Sequence, residues 1–252
     1  ATASVMVTAS HLPYNRNGLK FFTPKGGLDS RDIADILDIA ERGDYAYDGA
    51  AGNSATLDFM TIYSRHIADY ICQGVHADDY EHPLKGMHIV VDAGNGGGGF
   101  FERILSQLGA DTQGSQFLDP DGRFPNHIPN PENAEAMASV CRAVADSDAD
   151  LGVIFDTDVD RSAIIGRNGE PINRNALIAL IASVILEEHP HSTIVTDSVT
   201  SDGLADFISR KGGRHHRYRR GYKNVINEGI RLNEAGEECW LAIETSGHAA
   251  LC

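Results

Sequence analysis

The stretch DLGVIFDTDVDR, residues 150–161, decides how the rest of this 252-residue chain is read. Val153, Ile154 and Phe155 form a short continuous apolar run of the kind a buried strand needs. Asp156, Asp158 and Asp160 then alternate with uncharged residues in the loop that follows. Three anions held this close are costly without a counter-ion, and a loop that curls can turn them all on one hard cation. Working outward, the same grammar repeats. Upstream, LKGMHIVVDAGNGGGG (84–99) reads as a strand running into a glycine-rich turn, with a helix over Phe100–Leu108. DPDGRFPNHIPNPEN (119–133) reads as a loop before a helix at Ala134–Ala145. Downstream, RNALIALIASVILEE (174–188) is an apolar helix and STIVTDS (192–198) a strand. Nearer the start, Asp29 or Ser30 caps a helix whose Ile33, Ile36, Leu37 and Ala40 repeat at helical spacing. GDYAYDGAAGNSA (43–55) is a loop, and Leu57–Cys72 a second helix. Val5, Met6 and Val7 read as the end of a buried strand. Strands alternating with helices predict an α/β fold with mixed sheets.

The bulk numbers narrow the function classes. The chain is 42% hydrophobic and 23% charged, large enough for about two domains. A net charge of −15 argues against a general nucleic-acid binder. No run reaches the roughly 18 apolar residues of a membrane helix. Cys72, Cys141, Cys239 and Cys252 show neither metal spacing nor the density of a disulfide framework, which points to a reducing compartment. The first strand starts almost at residue 1 and the last motif ends four residues from the end, so a piece of a longer protein is expected.

Each motif has competing readings. An EF-hand needs glycine and glutamate where the acidic loop has Arg161 and Arg167, so that reading fails. VIFDTDV resembles the D-x-D signature of haloacid dehalogenase phosphatases, with Asp156 as nucleophile and Asp158 as acid. That class also needs a later acidic pair, of which no convincing one follows, and it stands as the second reading. Gly94 to Gly99 satisfies G-x-G-x-x-G literally, but a tight strand-to-helix turn accounts for it better than a dinucleotide site. Seven of the 21 basic residues fall between Arg210 and Lys223, a cluster that in an acidic chain suits a small phosphorylated ligand better than RNA. WLAIETSGHAAL (240–251) places Glu244, Ser246 and His248 at alternating positions, a surface able to read hydroxyl groups. Ser10, leaving the first strand beside His11, reads on its own as a turn residue.

Taken jointly, the chain resembles the α-D-phosphohexomutase family (phosphoglucomutase, phosphomannomutase, phosphoglucosamine mutase). The matching segments are Thr8–His11 with NGLKFF behind it, DAGNG, FPNHIPNPEN, the D-x-D-x-D-R loop, RGYKNV and ETSGH, in order along nearly the whole chain. The sugar loop departs from the family in having Ile243 where glycine is common.

The resemblance implies consecutive related α/β domains around a central cleft. Residues 1–82 would be the C-terminal part of the first domain, 83–190 the second and 191–252 most of the third; the start of the first and all of the fourth would be missing. Ser10 would be the phosphoserine, and Asp156, Asp158 and Asp160, with Ser10, the Mg²⁺ ligands. Arg161 would reach the active-site phosphate. His11 and Lys20 would be polar groups around the phosphoserine, with Lys20 in acid/base work. Lys223, Glu244, Ser246 and His248 would bind the sugar. The implied partners are a hexose phosphate, of glucose or mannose, and a hexose 1,6-bisphosphate intermediate. No nucleic acid or membrane is expected, and the oligomeric state is left open. The implied setting is soluble and intracellular, in cytoplasm or plastid. Reduced or absent activity is expected of the fragment, with an inactive phosphosugar-binding remnant as a further alternative.

Overall fold

The computed structural model describes residues 2–9, 12–45, 49 and 52–252. Three sheets follow one another along the chain. The first joins β1 (Ser4–Val7), β2 (Leu19–Thr23) and β3 (Gly26–Gly27) in antiparallel order, and α1 (Ser30–Arg42) follows. Asp29 caps α1 by accepting from the N–H groups of Arg31 and Asp32, while the Asp32 carboxylate accepts from the Asp29 N–H. This reciprocal pair satisfies donors that a helix start otherwise leaves open. Gly43, at φ 66°, ends the helix in the left-handed conformation that glycine adopts without a Cβ penalty.

The expected strand at Val5–Val7 forms, but it is not buried: Val7 is 71% exposed. None of the apolar clusters among the described residues includes a residue of β1, β2, β3 or α1. Among the described residues, the apolar side chains of this unit are at most half-buried.

The second unit contains α2 (Phe59–Val75), β4 (Ile89–Asp92), α3 (Gly99–Gln107), α4 (Ala134–Ser147), β5 (Leu151–Phe155) and β6 (Ser162–Gly166). β4 lies parallel to β5, and β6 returns antiparallel to β5. Alternate residues of each strand face opposite cores. Ile89, Val91, Val153 and Phe155 meet Cys72 of α2 and Ile104 and Leu105 of α3. Val90, Ile154 and Ile165 meet Ala136, Val140 and Val144 of α4. A sheet covered on both faces explains why its strands read as unbroken apolar runs. Each fully buried Val or Ile contributes about 1.5–3 kcal/mol.

The third unit contains α5 (Arg174–Glu188), β7 (Thr193–Asp197), α6 (Asp202–Arg210), β8 (Arg214–Tyr218), α7 (Tyr222–Glu234), β9 (Cys239–Ile243) and β10 (Ala249–Leu251). The strand order is β10-β9-β7-β8, with β7 parallel to β8 and β9, and β10 antiparallel to β9. α5 and α6 cover one face through Ile178, Ala182, Leu186, Leu204 and Ile208. α7 covers the other through Val225 and Leu232. The expected α/β architecture with mixed sheets is therefore present.

Candidate active site

β5 delivers Asp156 into a tight loop that returns as β6. The Arg161 N–H donates to Asp156 Oδ1 at 3.0 Å, and the Asp156 N–H donates to the Arg161 carbonyl at 3.1 Å. Val159, inside the turn, has φ 65°, a strained conformation for a β-branched residue. The result brings one oxygen from each of Asp156, Asp158 and Asp160 within 4.8 Å of one another.

The glycine-rich turn is the support under this loop. The Gly97 N–H donates to the Thr157 carbonyl at 2.8 Å. A Cβ on Gly96 would lie 2.9 Å from both the Thr157 Cα and its carbonyl oxygen, so the close approach requires glycine. Behind the turn, buried Asp92 lies 3.0 Å from His127 Nε2 and accepts from Gln116 Nε2 at 2.8 Å. Asn126 donates to Asn95 Oδ1 at 2.7 Å. DAGNG and FPNHIPNPEN are thus one hydrogen-bonded scaffold.

Crowding sets the charges. Burial, and then the hydrogen bond shared with Asp160, push the Asp156 carboxyl up to about 7, with Arg161 working against the shift. Burial would also raise Asp160, but the hydrogen bond with Asp156 and the charges of His248, Arg161 and Lys20 hold it below its ordinary value. The Arg161 guanidinium lies 3.0 Å from Asp156 Oδ2 and 3.6 Å from Asp160 Oδ1, so it braces the acidic loop itself. Asp158 Oδ2 accepts from the Thr8 hydroxyl at 2.7 Å, whereas its Oδ1 is buried with no hydrogen-bond partner. An unsatisfied buried carboxylate oxygen beside two further carboxylates is a donor set suited to a hard divalent cation such as Mg²⁺.

The third unit faces the same loop. His248 Nε2 lies 3.7 Å from Asp160 Oδ2. His248 Nδ1 is 2.9 Å from Ser246 Oγ, which donates to Glu244 Oε2 at 2.7 Å. Glu244, buried at the end of β9, also accepts from the Gly221 N–H at 2.7 Å. The Tyr222 ring stacks on His248 with centroids 5.0 Å apart. Ile243, just before Glu244, is buried in the α5–α6 core.

Of the residues singled out from sequence, the structure brings together Asp156, Asp158, Asp160, Arg161, Glu244, Ser246 and His248, with Lys20 close enough for its charge to act on Asp160. Lys223 stands exposed in the first turn of α7, and its charge acts on Asp29. Ser10 and His11 lie outside the described residues. Thr8, Gly221, Asp92 and His127 carry no role in the sequence reading, and Tyr222 enters it only as a stacking group of the basic cluster. Thr8 belongs to the segment Thr8–His11, but no spacing rule pairs it with a carboxylate 150 residues away.

Comparison with known proteins agrees with this geometry. Residues 1–46, 63–169 and 173–251 match, in turn, the α/β/α domains I, II and III of phosphoglucomutase/phosphomannomutase. A phosphoglucomutase of Neisseria meningitidis serogroup B is 30% identical over 84% of this chain and 44% of its own length. A phosphomannomutase/phosphoglucomutase of Pseudomonas aeruginosa is 30% identical over 98% of this chain and 50% of its own length. The crystal structure of a phosphoglucomutase/phosphomannomutase family protein from Burkholderia thailandensis superposes with a TM-score of 0.81 at 28% identity, over 99% of this chain and 51% of that one. The chain spans about half the length of these relatives. Three successive domain matches in the family's order, on three units whose loops meet at one acidic turn, place this chain in the phosphoglucomutase/phosphomannomutase family.

Proposed function

We propose that the complete protein interconverts hexose 1-phosphate and hexose 6-phosphate, of glucose or mannose, through a phosphoserine at Ser10. The observation that carries this reading is the convergence of Thr8, Lys20 and His248, from the first and third units, on the carboxylates of the second. A neutral serine is a poor nucleophile, but a phosphoserine is a phosphoryl donor that needs mainly positioning and charge neutralisation. Held by Asp156, Asp158, Asp160 and the Ser10 phosphate, Mg²⁺ would supply that neutralisation. Arg161 braces the loop and offers a second cationic group to the phosphate. Lys20, with His11 beside the serine, moves the proton of the attacking sugar hydroxyl. Transfer yields a hexose 1,6-bisphosphate, which turns over and returns its other phosphate to Ser10. Glu244, Ser246, His248 and Lys223 hold the sugar, and the first two suit hydroxyls that exchange places when it turns. The protein works as a soluble intracellular enzyme. Among the described residues no helix is long and apolar enough to cross a membrane.

Substituting Ser10→Ala in the full-length protein should abolish both phosphorylation at that position and mutase turnover, measured by intact mass and a coupled assay. Near-normal turnover would sink the reading. An aspartyl-phosphate on Asp156 would instead support the phosphatase alternative, for which the buried, Arg161-bound Asp156 gives no encouragement. The 252-residue chain alone, which spans about half the length of its relatives, should bind Mg²⁺ yet interconvert hexose phosphates barely, since binding energy remote from the reacting atoms is what positions a substrate.

A further inference from the structure

The hairpin that carries Glu244, Ser246 and His248 closes, at its open end, on two cysteines that the proposed chemistry does not use. Cys239 begins β9, and Cys252 follows β10, with its N–H donating to the Trp240 carbonyl at 3.3 Å. Regular alternation would send residues at such offset positions to opposite faces. Here the β7–β9 register shifts between Thr193 and Ile194, which pair with Cys239 and Leu241, so the strand skips Trp240. Cys239 thereby turns under α7, into the cluster of Val195, Val225, Leu232 and Ala242, where Cys252 also packs.

Both sulfurs converge on one point of that helix. Gly229 sits inside α7, where glycine is about 0.5–1 kcal/mol worse than alanine. A Cβ there would lie 2.8 Å from Cys252 Sγ and 3.3 Å from Cys239 Sγ. Each thiol donates to a nearby carbonyl of the hairpin, Cys239 to Leu241 at 3.7 Å and Cys252 to Ala250 at 3.9 Å. The adjacent Cys239 thiol draws the Cys252 thiol down from its ordinary value against the effect of burial. The neighbouring Cys252 thiol, followed by burial, pushes Cys239 up. Cys252 is half-buried and Cys239 is 1% exposed. One thiol is therefore reachable and the other is enclosed beside it.

We propose that Cys239 and Cys252 form a reversible dithiol–disulfide pair that staples the open end of the β9–β10 hairpin. With a small-molecule disulfide such as oxidised glutathione, the Cys252 thiolate attacks one sulfur and releases one glutathione thiol. Cys239 then gives up its proton and attacks the Cys252 sulfur of the mixed disulfide, releasing the second. Two protein thiols are oxidised and one small disulfide is reduced to two thiols. The other cysteines, Cys72 and Cys141, stand apart in the second unit's cores.

The test is to incubate the reduced, natively folded 252-residue chain with oxidised glutathione, alkylate it and map peptides without reduction. The expected product is one cross-link joining Cys239 to Cys252, a mass lower by about 2 Da, and a fall from four free thiols to two. Dithiothreitol should restore all four. Cys252→Ser should remove the cross-link while Cys239 stays protected from alkylation until the chain is denatured. If that variant does not fold, the map of the unsubstituted chain decides alone. A stable glutathione adduct on Cys252 with Cys239 still reduced overturns the proposal, as does a cross-link between two copies of the chain or no loss of thiol at all.

Discussion

Strands β5 and β9 end alike: each is parallel to its neighbour, delivers a buried carboxylate into a short loop, and returns as an antiparallel strand. Both carboxylates are paired within their own units, Asp156 by Arg161 and Glu244 by Gly221 and Ser246, but their surroundings differ. Glu244 is satisfied within its own unit, one oxygen by the Gly221 N–H and the other by the Ser246 hydroxyl. Asp156 is crowded by Asp160, and its neighbour Asp158 keeps a buried oxygen with no donor. A buried polar group left unpaired costs about 1–3 kcal/mol, more if charged. The difference teaches that the first loop is built around something it must receive. The second is already organised, and offers its partners to a ligand by exchanging bonds it already has.

The largest effect that should sharpen this contrast comes from Asp158→Asn. Replacing the unpartnered oxygen's carboxylate by an amide should weaken Mg²⁺ binding at least tenfold, roughly 1.4 kcal/mol, by titration calorimetry. A change below twofold would break the contrast, because the open oxygen would then not be the loop's receptor. Gly96→Ala comes next. Its Cβ would press on the Thr157 backbone, so Mg²⁺ affinity should fall severalfold and stability by about 1–3 kcal/mol, read by chemical denaturation. Unchanged affinity would mean that the glycine turn does not set the acidic loop. Ser246→Ala should cost about 1 kcal/mol by leaving a Glu244 oxygen unpaired, with Mg²⁺ binding intact. Loss of Mg²⁺ binding in that variant would erase the distinction between the loops.

The smallest expected effect separates the two units by pH. In the second unit, burial opposes the charge on His127, but its pairing with Asp92 wins and raises it. That contribution is full below the unfolded value of 6.5 and is lost as pH rises through the raised folded value. In the third unit, burial, followed by the charges of Arg217 and His216, lowers His215 to about 4. Its contribution is full above 6.5 and is lost as pH falls through about 4. Between pH 7 and 5, hydrogen exchange corrected for intrinsic rate should therefore quicken in β7 and β8 relative to β4 and β5. Equal responses would show that these histidines do not govern the difference.

Local chemistry made much of this legible from sequence. Asp29, the apolar spacing after it, and the glycine-rich turn marked α1 and the β4–α3 junction where the structure has them. The alternation of carboxylates placed the acidic loop. What sequence could not show is contact across distance. Thr8 to Asp158, His248 to Asp160 and Asp92 to His127 depend on how the units and the long loop pack. Burial expected at β1 is not found, for a related reason, since an apolar strand does not reveal whether anything covers it. The grip of Arg161 on Asp156 and Asp160 was not legible either, since the sequence does not show which neighbours a guanidinium in a turn will meet.

The acidic loop is also a mechanical joint. It is gripped on one side by the 2.7 Å bond from Thr8 and touched on the other by His248 across 3.7 Å. A swing of the third unit by an ångström or two would break the second contact and leave the first unaltered. Such a motion would therefore change the loop's electrical balance before it changed its shape, so that the attitude of the third unit is felt at Asp160 as a charge.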